Sequence, residues 1–569
     1  MSELEVFKKE VQKLLKEESY DLKLDQIEYP KEKSHGDLAV PCFIFSKQKR
    51  KSPMEIALRL KQNLLSGIEN NDYLLKAENI GPYLNFFIDK HKLAKQVLSK
   101  IQDEKEDYAK KSVKSVKVMI EFCSPNTNKP LHLGHVRNML LGESVSSLLK
   151  HQGRDVVKSC LVNDRGIHIC KSMLAYQLWG DNTDPKTSKK KGDHLVGDFY
   201  VLYAKHEDEE MKKLVSDMLQ KWEQADPETI KLWKKMNSWV YEGFEETYKQ
   251  MGVSFDKYYY ESALYDKGKD IILKGLEKGV FNKDESAINA PLEKKYNIPD
   301  KVLVRSDGTT IYITQDIYLA IRKIKDYDLD SSIYVVGSEQ NLHFQQLFKI
   351  LELLGYEQAK KMYHLSYGMV NLPEGKMKSR EGTVVDADDL LKELKTLARA
   401  EIKTRDPKIK KKDLDKRSEA IALAGLKFYM LKLDPVKEMT YNPKESLSFE
   451  GETGPYVQYT AVRIASILEK SEKNIPRNVD FDRIEDSELD LVHKLSLYSD
   501  VVSKAAYDMK PSHLANYLIE LSQSFNSYYH STKIIDTGME LERLYLIDSI
   551  RCVLVAGLGI LGIEVPGKM

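Results

Sequence analysis

The stretch that most constrains this chain is Ile120–Leu149, IEFCSPNTNKPLHLGHVRNMLLGESVSSLL. The run VKVMIEFCS that leads into it is apolar and rich in β-formers, and it reads as a buried strand. Val136, Met139, Leu140, Leu148 and Leu149 then recur at helical spacing, and Gly153 follows as a stop. His132-Leu133-Gly134-His135 therefore falls where a strand turns into a helix. In an open α/β sheet, phosphates and small ligands bind at that point, because the first N–H groups of the helix point at the site. Two histidines there can cap the helix, or they can donate N–H bonds to phosphate oxygens. The second use is helped by the positive end of the helix dipole and by Lys129 just upstream. Gly134 removes a side chain where a flat ring could lie against the backbone. These are parts suited to binding ATP and stabilising charge on a leaving phosphate.

The rest of the chain frames that turn. At 569 residues several domains are expected. Residues 1–112 read as a small α+β domain. Ser52-Pro53-Met54-Glu55 opens a helix in it, LAVPCFIF is strand-like, and GPYLNFFID forms a further strand. Residues 113–395 alternate strand and helix, with the polar cluster Asn163-Asp164-Arg165-Gly166 at the end of the strand DVVKSCLV. About 181–295 reads as a charged helical insertion. Alternation resumes near Val302, with Thr310 to Ile313 strand-like and a helix from near Thr314. Residues 396–569 show helical faces only and read as an α-bundle. The formal net charge of +1 excludes a global basic pull on nucleic acid, so any RNA contact needs local patches. The five scattered cysteines make no CxxC pair, and the longest apolar run, Cys552 to Val565, is too short to span a bilayer. A cytoplasmic protein is expected, with no membrane partner and no metal site.

A second cationic motif, Gly375-Lys376-Met377-Lys378-Ser379-Arg380, follows the last strand of the second βα half. Alone, a basic loop is usually solvated surface. Together, HLGH and KMKSR resemble the two signatures, HIGH and KMSKS, of class I aminoacyl-tRNA synthetases. EFCSPNTNKPLHLGHVRN, GDFYVLY, YITQD, VVGSEQNLH, GKMKSREGTVV and LSFEGETGPYVQY resemble arginyl-tRNA synthetases in their order, through essentially the whole chain. The loop departs from its signature at Lys378, Ser379 and Arg380. In arginyl enzymes a lysine just before the HIGH motif is thought to substitute for the second lysine, and Lys129 stands there.

The resemblance implies a Rossmann-like class I catalytic domain with a helical insertion, a small α+β N-terminal domain and an all-α anticodon-binding domain. It implies activation of arginine by ATP, with Mg²⁺ accompanying the nucleotide, and transfer to tRNA(Arg). No tightly bound cofactor is expected, nor any nucleophilic side chain, and the enzyme is expected to be a monomer. Carried over by motif, Lys129, His132, His135 and Lys376 would be the catalytic groups. ATP would meet His132, Gly134, His135, Gly337, Met369, Lys376 and Lys378. Arginine would be held by Glu121, Asn126, Tyr312, Asp316 and Gln340, with the two acids reading the guanidinium. tRNA would be met by Asn85 and Phe86 in the first domain and by Gln458, Tyr459 and Arg463 in the last. Two other readings are an RNA-binding paralogue without catalysis and a small nucleotidyltransferase sharing the HxGH turn. The intact histidines and lysines argue against the first, and the N-terminal and helical C-terminal parts are unexplained by the second.

Overall fold

The computed structural model describes residues 3–30, 32–112, 116–371, 385–471, 473, 475 and 479–569. The loop holding Lys376 and Lys378 lies outside the described residues. In the N-terminal part, β1 (Leu38–Pro41), β2 (Leu74–Ile80) and β3 (Tyr83–Ile88) form an antiparallel sheet in the order β1-β3-β2. The run LAVPCFIF is only half strand. β1 ends at Pro41, which lacks a ladder donor, and a helix runs over Phe43–Lys49. Ser52 caps the helix Pro53–Asn63 by accepting from the Glu55 amide at 3.2 Å, while the Glu55 carboxylate pairs with Lys51.

The central sheet is wholly parallel. It contains β4 (Lys117–Glu121), β5 (Asp155–Val162) and β6 (Lys257–Tyr260). After a small antiparallel unit of β7 (Asn282–Asp284), β8 (Ala287–Ala290) and β9 (Lys301–Val304), it gains β10 (Ser331–Gly337) and β11 (Tyr363–Tyr367). The order is β11-β10-β4-β5-β6, so β4 is central and its two neighbours lead away on opposite sides. That reversal opens a crevice beyond the strands' C-terminal ends. Two expectations are corrected here. The stretch 181–295 is not all insertion, since β6 inside it is a strand of the main sheet. Thr310 makes only an isolated bridge to Val304, and the helix already begins at Tyr312 and runs to Tyr327. Thr314 shows why: its hydroxyl, buried, donates to the Leu303 carbonyl at 2.7 Å and ties the helix start to β9.

Beyond β12 (Val370–Asn371), which pairs with β13 (Met439–Thr440), the chain is otherwise helical among its described residues. The helix Glu540–Ile560 is buried along most of its length, and no described helix is long and apolar enough to cross a membrane. The first and last parts meet directly: Tyr29 donates to Asp500 at 2.7 Å, and Gln102 donates to Asp548 at 3.0 Å.

Arg137, on the helix Leu133–His151, joins the sheet domain to the helical part. It is 1% exposed and donates to four carbonyls: Gly368 at 2.7 Å, Met369 at 3.3 Å, Pro435 at 3.1 Å and Lys437 at 2.8 Å. Burial lowers its guanidinium to about 10, and the carbonyl dipoles are what keep the charge tolerable there. Arg137→Met should remove the donors and leave those oxygens unpaired, at a cost of about 3 kcal/mol or more. A thermal midpoint equal to that of the parent protein would contradict this account.

Candidate active site

The loop between β4 and the HLGH helix is built under strain. Cys123 and Ser124 follow β4 with positive φ of 74° and 43°, which side chains rarely adopt. Asn138 holds them: its Oδ1 accepts from the Cys123 amide at 2.5 Å, and its Nδ2 donates to the Val335 carbonyl at 2.7 Å and the Tyr367 hydroxyl at 3.1 Å. One buried amide thus ties the ends of β4, β10 and β11 together.

The two histidines cap the helix. His132 is the N-cap of the helix, and its Nδ1 accepts from the Gly134 amide at 3.2 Å. The Nδ1 of His135 accepts from the His132 amide at 3.1 Å. An imidazole accepting at Nδ1 carries its proton at Nε2 when neutral. Burial and the nearby Lys129 charge push His132 down to about 4, and burial drives His135 well below its ordinary value. Both rings are therefore neutral at pH 7, each with an Nε2–H to give. Gly134 has a different reason from the one expected. A Cβ there would meet the His132 ring at 3.1 Å, so the missing side chain makes room for the cap. Burial also lowers Lys129.

The five expected arginine residues converge. Glu121, Asn126, Tyr312, Asp316 and Gln340 all line one cavity of about 740 Å³ at the C-terminal ends of β4, β5 and β10. Tyr312 is 77% exposed at its rim. Neither acid is bare: Glu121 is ion-paired with the buried Lys323, and Asp316 accepts from His343 Nε2 at 2.7 Å. Sequence reasoning missed Lys323, His343 and Glu261. Glu261 lines the cavity just after β6, in the stretch assigned to the insertion, which hid it. Burial raises Glu261 to about 7, against the pull of Arg165.

Lys129 and His132 line a separate depression of about 460 Å³, with Lys189, Lys190, Lys191 and His194. Asp193, His194 and Asp388 cluster behind it with metal-like spacing. The Lys191 ammonium stands among them, 2.6 Å from Asp388, 3.2 Å from Asp193 and 2.5 Å from Thr247, so the cluster already holds its cation. The segment that follows the KMKSR loop is fixed to the HLGH turn: Leu133 donates to the Val385 carbonyl and Ala387 to the Leu131 carbonyl, both at 3.0 Å. Gly337 ends β10 partly buried, and Met369 is 43% exposed before β12.

The expected tRNA contacts divide. Phe86 is 0% exposed and Asn85 3%, both inside the N-terminal core, so neither offers a face to a base. Gln458 is equally enclosed, donating to the carbonyls of Glu564 at 2.5 Å and Ala420 at 3.4 Å. Tyr459 and Arg463 reach the surface in part, with the guanidinium 4.6 Å from the Tyr459 ring and bonded to Asn526 at 2.7 Å.

Comparison with known proteins fits this geometry. Residues 96–442 match the family model "tRNA synthetases class I (R), catalytic domain", residues 457–569 the "DALR anticodon binding domain" and residues 4–88 the "Arginyl tRNA synthetase N terminal domain". The chain is 47% identical to the arginine–tRNA ligase of Treponema denticola over 93% of its own length and 92% of the relative's. It is 44% identical to that of Porphyromonas gingivalis over 96% and 95%. The arginyl-tRNA synthetase structure from Thermus thermophilus superposes with a TM-score of 0.84 at 26% identity, covering 99% of this chain and 100% of that one. The Plasmodium falciparum structure shares the fold, with a TM-score of 0.79 at 19% identity and 99% and 98% coverage. By its catalytic, anticodon-binding and N-terminal domains alike, the chain belongs to the arginyl-tRNA synthetases of class I.

Proposed function

We propose that this arginine–tRNA ligase activates its amino acid over the loop from β4 to the HLGH helix, with arginine in the Glu121–Asp316 cavity and the ATP phosphates at His132 and His135. The convergence of Glu121, Asn126, Tyr312, Asp316 and Gln340 on one cavity carries this reading. ATP comes as its magnesium complex. The arginine carboxylate attacks the α-phosphorus and pyrophosphate leaves; the terminal ribose hydroxyl of tRNA(Arg) then attacks the arginyl carbonyl and AMP leaves. No side chain forms a bond, so the enzyme's part is positioning and charge stabilisation.

In this scheme the Nε2–H groups of His132 and His135 donate to phosphate oxygens as negative charge builds there. Lys129 adds a full charge from the same loop, and Lys376 and Lys378 act on the pyrophosphate from the other half. Gly337 and Met369 flank the adenosine. Asn126 and Gln340 take the amino and carboxylate groups of arginine, while Asp316, Glu121 and Glu261 face the guanidinium. Tyr459 and Arg463 serve the anticodon loop. The contact expected at Asn85 and Phe86 passes to exposed neighbours: Phe43 is 50% exposed and packs edge-on to Tyr83 at 5.9 Å, both on the same small domain.

ATP–pyrophosphate exchange with arginine and tRNA(Arg) tests the reading as a whole, and a folded protein giving no exchange would overturn it. His135→Ala should lower kcat about 100-fold by removing one donor, with the arginine KM unchanged; a loss confined to the arginine KM would misplace the histidine. Glu261 sets the pH response. A carboxyl near 7 must ionise to accept the guanidinium, so the arginine KM should rise as pH falls from 8 to 6. Glu261→Gln should flatten that dependence, and an unchanged slope would assign it elsewhere.

A further inference from the structure

Lys323 is a buried charge outside the groups so far assigned to the reaction. It lies on the helix Tyr312–Tyr327, two turns after Asp316, and is 0% exposed. Its ammonium pairs with Glu121 and rests 4.8 Å from the Tyr334 ring centroid and 5.6 Å from that of Tyr259. It does not line the arginine cavity, whereas Glu121 does. Its charge therefore meets the cavity only through that carboxylate. A buried ion pair adds little to stability over well-packed apolar side chains of the same volume, so stability alone gives no reason for it. Its place behind a cavity wall gives one.

We propose that Lys323 is a positioning residue for arginine: it holds the Glu121 carboxylate in one orientation, with Oε2 engaged and Oε1 left for the substrate. This rests on the assignment of Glu121 to arginine binding. Without a partner at Oε2, the carboxylate can turn away from the geometry a guanidinium fork needs. The aromatic faces of Tyr334 and Tyr259 flank the ammonium, and Glu121 is the carboxylate it pairs with. Lys323 thus acts on specificity without touching the ligand.

The test is the arginine KM, the ATP KM and kcat in aminoacylation for E121Q, K323M and E121Q/K323M. E121Q should raise the arginine KM at least tenfold and leave the ATP KM as it is. K323M should do the same, and the double variant should match E121Q within about twofold, because Lys323 has nothing left to act through. K323M with the parent arginine KM, beside an impaired E121Q, overturns the proposal alone. A double variant whose loss is the product of the two single losses also overturns it. An E121Q with the parent arginine KM overturns instead the assignment of Glu121 on which this rests. If K323M does not fold, as read by its thermal midpoint, K323Q takes its place, alone and with E121Q, under the same outcomes.

Discussion

The imidazole cap on the HLGH helix is the interaction on which the rest of the site depends. The first amides of any helix lack partners inside it. Here two of them, at His132 and Gly134, are taken by the Nδ1 atoms of His135 and His132. That one choice fixes three properties. It orients both rings, which lie 3.9 Å apart between centroids. It places the proton of each neutral ring at Nε2. It also spends the basic nitrogen on a neutral donor, and with burial this keeps protonation far below neutrality. A charged imidazolium pair would repel itself and Lys129. The proton balance has a consequence for the fold. The unfolded chain binds protons at these histidines below about pH 6.5, where the folded one does not, so their contribution to stability is full above that value and falls away toward pH 4.

The cap needs a rigid approach, and the chain obtains it from a strained one. Two residues with positive φ, Cys123 and Ser124, turn the backbone sharply after the central strand. Such a turn costs on the order of 1 kcal/mol or more per residue and persists only when its surroundings over-determine it. Asn138, on the HLGH helix itself, supplies that determination by reaching both β4's end and β10. The helix that presents the histidines therefore also fixes the loop that leads to them. Arg137, one residue earlier, fixes Met369 and the segment Pro435–Lys437 in the same way. Adjacent residues on one helix thus point one side chain at the sheet and one at the helical half.

Much of this was legible in the sequence where the signal is local. Strand, turn and helix around HLGH follow from periodicity and a stop glycine, and the structure places them at Lys117–Glu121 and Leu133–His151. The signals failed where tertiary partners decide. Thr310 to Ile313 has β-propensity, but Thr314 donates to β9 and draws the helix start back to Tyr312. β6 is four residues of lysine and tyrosine after a long helix, and only its pairing to β5 makes it part of the sheet. Asn85, Phe86 and Gln458 are expected at the surface, yet each is enclosed, the first two between β1 and β2 and Gln458 against the Glu564 and Ala420 carbonyls. Lys323 had no signal at all. Its partner is 202 positions away, and a lysine on an amphipathic helix reads as solvated surface.

That buried lysine changes the argument about amino-acid choice. Two buried acids reject a neutral isostere strongly when it leaves them unpaired. In the structure neither is left so: Glu121 has Lys323 and Asp316 has His343, while Glu261 sits near 7 and can hold a proton. An empty cavity of three bare carboxylates would carry a desolvation penalty of several kcal/mol per ion against folding. The observed partners remove most of that burden from the free enzyme. They also change what discriminates. Under the proposed assignment, a neutral side chain is refused less by unpaired charge than by the absence of anything that recruits Glu261 into its ionised form and draws a second, bidentate partner onto Glu121 and Asp316. Selectivity then lies in a gain that only a planar cation with several N–H donors can collect. A compact ammonium, already represented behind Glu121 by Lys323, offers one charge but not the fork, so charge alone does not satisfy three carboxyl groups at once.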